Sequence, residues 1–206
     1  MQIISVLLAS LILASCVSLE EVNRAFFAVD AEWQRDYDKV VDDYGTRYYP
    51  VPKDVAVELL IDSLQDMGMI IQSRGLTDGI VLAESLAPDP LSKDEWKAVA
   101  EIEEPRMKRI VAEEIGTASA AFFVLDPTRY RITLGAKVTG GKNASLIAIQ
   151  GRLVHVGGIQ GMYAPKHIPP LAAQLGALKI WDHFRQKLED AGYETKPIKK
   201  PENFST

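Results

Sequence analysis

The order of apolar and polar residues divides this chain into stretches of helical and of strand-like period. Val22, Phe26, Val29, Trp33, Tyr37, Val40 and Tyr44 recur at intervals of three and four, which predicts one narrow apolar seam along a long helix. Ser18 and Glu21 ahead of it fit a capping box, and Gly45 follows its last apolar residue. Residues 46–51 read as a strand, with Pro50 and Pro52 suited to its end. Asp54 is placed to cap a second helix whose stripe is Ala56, Leu60, Leu64 and Met67. Gly68 stands where a helix often stops in a left-handed turn. Residues 69–71 and 80–83 predict a hairpin around the glycine-containing segment 74–79.

The second half is patterned differently. Ser92 can cap a helix over 93–104, and Pro105 suits the first turn of a continuation to 115. That segment is charged on most faces and predicts a peripheral insertion or lid. Residues 120–125 are continuously apolar, as in a buried strand. Tyr130, Ile132, Leu134, Ala136 and Val138 then alternate with polar or small residues, the clearest period of two in the chain. Residues 145–156 return as its partner, with Gly151 at a bulge. A Gly/Pro loop over 157–170 leads to a last helix over 171–191, faced by Leu171, Leu175, Leu178, Trp181 or Phe184, and Leu188. The order predicts an α+β fold: one antiparallel sheet with helices packed on one face, a two-layer sandwich preceded by an N-terminal amphipathic helix. Leu188-Glu-Asp-Ala-Gly-Tyr echoes Leu64-Gln-Asp-Met-Gly-Met, as two helices ending alike would.

Composition narrows the function. The chain has 206 residues, 47% hydrophobic and 25% charged, a folded globule rather than a disordered chain. Its net charge of −5 argues against nucleic acid, which calls for a basic face. Residues 17–44 hold eight acids against three bases, so the seam helix is unsuited to lie along anionic lipid. Two roles for the seam stay open. It packs on the protein's own domain, or it binds a partner through Phe26, Trp33 and Tyr37.

Residues 3–14 are apolar except for Ser5 and Ser10, too short for a bilayer span and of the length of a secretory h-region. Leu13-Ala14-Ser15-Cys16 follows and resembles the bacterial lipobox. That resemblance implies removal of residues 1–15 and acylation of Cys16, the only cysteine in the chain. With Val17 rather than an Asp next, it also implies a place on the periplasmic side of the outer membrane. The expected organisation is a signal peptide (1–15), an anchor and amphipathic helix (16–45), an α+β domain (46–195) with a helical insertion at about 92–115, and a loose tail (196–206).

No catalytic or metal motif emerges. His155, His167 and His183 are isolated from one another and from any cysteine, without the spacing of a metal site. The glycines at 157, 158 and 161 follow a strand, but the next helix starts ten residues later, too far for a phosphate cradle. We therefore expect no cofactor and no metal. The stretch from Pro52 through Ala56 and Leu64 to Gly68, followed by a hairpin, resembles the helix-grip domains of BamC-like outer-membrane assembly lipoproteins. The resemblance covers about 40 residues plus the closing helix. It implies a binding or scaffold role and carries over no functional residue. The expected function is a membrane-anchored, non-catalytic accessory factor that binds an envelope protein. The alternatives are an anchored envelope hydrolase and a carrier of a small apolar ligand. A histidine gathered with carboxylates in a cleft favours the hydrolase, and an apolar cavity of a few hundred Å³ the carrier. A closed core with an exposed apolar strip favours the binder.

Overall fold

A computed structural model describes residues 17–75, 77–157 and 162–198. The capping box forms as expected: Ser18 Oγ accepts from the Glu21 amide, and Glu21 Oε2 accepts from the Ser18 amide. It opens helix α1 (Leu19–Tyr44), which the short strand β1 (Thr46–Tyr49) follows. Helix α2 (Lys53–Asp66) starts earlier than the sequence suggests. Pro52, not Asp54, occupies the cap position, and Asp54 lies in the first turn, where a carboxylate favours the helix dipole. Gly68 takes the left-handed conformation at φ +83°, and the chain enters the hairpin β2 (Ile70–Gly75) and β3 (Ile80–Leu86).

Helix α3 (Lys93–Ile115) is continuous through Pro105. It is no lid: Trp96, Val99, Met107 and Val111 are buried on one side. The charged majority of its residues hid that stripe from the sequence pattern. Residues 120–125 do not form the expected strand. A single helical turn, α4 (Thr117–Ala120), leads into irregular chain in which Phe123 and Leu125 are buried while Phe122 and Val124 point outward. The long strands β4 (Tyr130–Gly140) and β5 (Ser145–His155) pair in continuous register, with Leu134 opposite Gly151 and no bulge there. Helix α5 (Pro170–Asp190) closes the fold. Its buried face is Ala172, Gly176, Ala177, Ile180, Trp181, Phe184 and Leu188, and Leu178 faces out.

The sheet is antiparallel throughout, in the order β1-β5-β4-β3-β2. Alternation along β4 and β5 sends Ile132, Leu134, Ala136, Val138, Ile147, Ile149 and Leu153 to the covered face. Two apolar cores form there. One joins α2 and the later part of α5 to the sheet through Leu60, Leu64, Tyr49, Trp181 and Phe184. The other joins α1 and α3 through Val29, Trp33, Tyr37, Trp96 and Met107 to the end of the sheet at Tyr130, Ile132 and Leu153. Ion pairs of Arg106 with Glu32 and Asp36, and of Arg24 with Glu114, fasten α1 to α3 along the rim.

Beyond Ala148, the edge of β5 that faces away from β4 has no strand beside it, because β1 pairs only with residues 145–148. Other groups take the place of a strand. Gly45 O accepts from the Ile149 amide, the Tyr37 hydroxyl bonds both the N–H and the carbonyl of Gly151, and Lys166 O accepts from the Leu153 amide. Gly151 leaves room for Ile168, since a Cβ there would stand 2.6 Å from Ile168 Cδ1 and push the end of that side chain aside.

Candidate functional site

The proposed seam lies inside the molecule. Trp33 is fully buried and Tyr37 nearly so, in the core between α1 and α3, and neither can meet a partner in this fold. Burial pushes the Tyr37 phenol above its ordinary pKa. Phe26 is half-buried and packs its ring 6.1 Å from that of Phe123. Of the two roles considered for the seam, packing on its own domain is the one this arrangement displays. Cys16 lies outside the described residues.

The histidines remain apart. His183 is half-buried on α5. His155 ends β5 on the covered face, its ring edge-on to Tyr130 at 5.5 Å, and its Nδ1 has no partner among the described residues. His167 lies beside a buried carboxylate that the sequence pattern assigned to the solvent side. Asp30, on α1, is 5% exposed. Its Oδ1 accepts from the amides of Lys166 (2.7 Å) and His167 (2.9 Å) and lies 3.0 Å from His167 Nδ1, while Oδ2 accepts from the Tyr163 hydroxyl at 2.5 Å. Asn23 Oδ1, two turns earlier, accepts from the Tyr163 amide. Burial alone would raise the Asp30 pKa, but the hydrogen bonds from Tyr163, His167 and Lys166 outweigh it and hold the carboxyl below its usual range. The same burial and the carboxylate push the Tyr163 phenol up.

This cluster pairs a histidine with a carboxylate, the geometry of an oriented general base. Both Asp30 oxygens are spent on the loop, however, and among the described residues no Ser or Thr hydroxyl bonds His167. Its direct effect is mechanical: one carboxylate clamps the chain around 163–167 onto α1. The only clue in the sequence is that Asp30 directly follows Val29 of the seam, an acid on the flank of a buried stripe.

The uncovered face of the sheet offers a second kind of site. It is a shallow trough of about 650 Å³ lined by Ile80, Leu82, Gly135 and Ala148, with Lys137 on the strand between Ile80 and Ala148 and with Gln72, Glu84 and Arg152 also in its lining. Leu82 is 46% exposed and Ile80 38%, both on the sheet surface itself. Two smaller hollows, one between the two cores and one open to the surface beside Tyr130 and His155, hold about 50 Å³ each. That is room for a few waters rather than for a lipid-sized ligand.

Among the described residues no group of three or more His, Cys, Asp or Glu could hold a metal ion. No described helix is long and apolar enough to cross a membrane. Comparison with family models, curated proteins and solved structures finds no match to this chain.

Proposed function

We propose that this chain is a membrane-anchored envelope lipoprotein that acts as a non-catalytic, protein-binding accessory factor, in the manner of the outer-membrane assembly lipoproteins it resembles. The observation that carries the binding role is the contrast between its two surfaces. The covered side of the sheet is filled to within a few tens of Å³, whereas the open side leaves Ile80 and Leu82 bare in a trough whose lining carries both signs of charge. A monomer that buries nothing else there would gain from polar residues at those positions, so the apolar strip fits a partner segment laid across the strands. The anchor rests on the lipobox at Cys16.

A photo-crosslinking residue at Leu82, in protein expressed in its own host and solubilised in detergent, tests the partner role. A discrete crosslinked envelope protein, lost when the crosslinker is moved to Leu178 on α5, is the expected result. Equal, diffuse crosslinking at both positions would remove the basis for the proposal.

The hydrolase is the second reading, and the Asp30–His167 pair is the observation in its favour. It requires His167 to exchange a proton during turnover. We expect His167→Ala to leave membrane levels and cellular phenotype intact. Loss of phenotype at normal circular dichroism and abundance would favour the hydrolase.

A further inference from the structure

The end of the molecule where α1 begins carries an apolar surface that the trough and the loop clamp do not explain. Phe122 is 85% exposed and Phe27 61%, with Val124 and Leu19 about half exposed beside them. They form one patch. Phe122, Val124, Phe26, Met162 and Tyr163 border a common hollow, the Phe27 ring stands 5.7 Å from that of Tyr163, and Leu19 lies one turn before Asn23, which holds the Tyr163 amide.

The patch is held out rather than hanging loose. Around Phe122 and Val124 the chain is pinned by burial of Ala120, Phe123 and Leu125. The Leu125 amide donates to Glu104 and its carbonyl accepts from Trp96 Nε1. An exposed aromatic ring on a fixed support is a surface built for an apolar environment.

We infer that this patch is a second membrane contact, inserted into the interfacial layer of the bilayer that holds the anchor. The inference rests on the anchor reading above. Acyl chains on Cys16 would fix residue 16 at the membrane surface, and the three residues from there to Leu19 span at most about 10 Å. Phe27 lies eight residues further along α1, a rise of about 12 Å. Leu19 therefore stays at headgroup level, and Phe27, with Tyr163 beside it, lies within reach of the acyl boundary. The charges nearby are mixed: Arg129 borders the hollow and pairs with Asp126, Lys166 lies over the Tyr163 ring, and Glu20 and Glu21 follow Leu19 in the first turn of α1. The contact is thus apolar in origin, and it holds on zwitterionic lipid and at high salt. Its effect is to turn a one-point tether into a two-point attachment that fixes the orientation of the protein.

The test uses the full-length, membrane-extracted protein with Phe122→Cys labelled by an environment-sensitive fluorophore, since acylation leaves Cys16 unable to react. Phe27→Cys serves as a second reporter, and Lys137→Cys on the open face of the sheet as the comparison. On phosphatidylcholine vesicles carrying nitroxide-labelled tails, the probes at 122 and 27 shift to the blue and are quenched, while the probe at 137 is not. Replacing both rings, Phe27→Ser with Phe122→Ser, speeds transfer between vesicles by about tenfold or more at unchanged circular dichroism. If the protein floats with the vesicles and all three probes behave alike, the patch proposal is overturned and the anchor stands. If intact mass shows no acyl chain and the protein stays in solution, the anchor reading fails and the patch proposal falls with it. If residues 1–15 are retained and the probe at 122 is shielded before vesicles are added, the patch covers the chain's own apolar segment, and bilayer contact is overturned.

Discussion

Trp33 and Asp30 stand three residues apart on one helix and hold the protein by opposite means. Trp33 fills the space between α1 and α3 with no surface left to water. Trp33→Ala should cost about 3–5 kcal/mol, read as a lower denaturation midpoint in urea. An unchanged midpoint would mean that the helix does not pack as described. Asp30→Ala strands the Tyr163 hydroxyl and two amides and should cost about 2–3 kcal/mol. The pH dependence follows from the direction of the shifts. Asp30 titrates below its ordinary range, and Glu95 is drawn from 4.5 to about 2, first by its hydrogen bond from Lys179 and then by the Ser92 amide. Carboxyls depressed in the folded state contribute stability that is complete above their unfolded pKa. That contribution is lost as pH falls through the folded value. Stability should hold from neutral pH down to about 4.5 and fall between there and about 2, and Glu95→Gln should flatten that decline. Denaturation midpoints across the acid range measure it.

At the scale of elements, the turn between β2 and β3 makes the sharpest prediction. Gly79 has φ +75°, and a Cβ there would stand 2.0 Å from the carbonyl oxygen of Val138 on the neighbouring strand. Gly79→Ala combines a strained backbone with a clash that no rotamer relieves, and a loss of about 2–4 kcal/mol is expected in thermal denaturation. Elements whose own period announces them were legible in the sequence. These are α1 with its capping box, the strict alternation of β4, and the helix ends at Gly68 and Gly192, both left-handed, where Met69 and Tyr193 amides return to Leu64 and Leu188. What escaped depended on tertiary partners. Residues 120–125 are as apolar as a buried strand, yet no sheet edge receives them, and half of them face outward. Asp30 looks like one more surface acid until the loop from Tyr163 to His167 arrives from about 130 residues away to occupy it. The stripe on α3 is thin because a rim of ion pairs to α1 replaces apolar area on its flanks. Gly151 resembled a bulge, but it answers to Ile168 and the Tyr37 hydroxyl.

For the whole molecule, the decisive arrangement is that α1 supplies one wall of the second core. Removing residues 17–45 would bare Trp96, Met107, Val111 and Ile132 together. The remaining chain should show strong binding of an apolar dye and no cooperative unfolding transition. A truncated chain that melts cooperatively would instead make α1 a detachable arm and return its seam to the list of partner surfaces. The expected mass of the native protein, short of residues 1–15 and heavier by its acyl chains, belongs to the same scale and is measured on the membrane fraction.

The hydroxyl of Tyr37, the carbonyl of Gly45 and the carbonyl of Lys166 together finish the border of the sheet along β5. At the far border, β2 slips register between Ile71 and Ser73, an irregularity that spoils templating by a straight strand. If the chain is anchored as proposed, its copies meet on the membrane far more often than the same number would in free solution, and each meeting is a chance for one chain to add itself to the border of another. Here a tyrosine and two loop carbonyls sit where the incoming strand would have to go, so crowding on a surface brings neighbours together without stitching them into fibres.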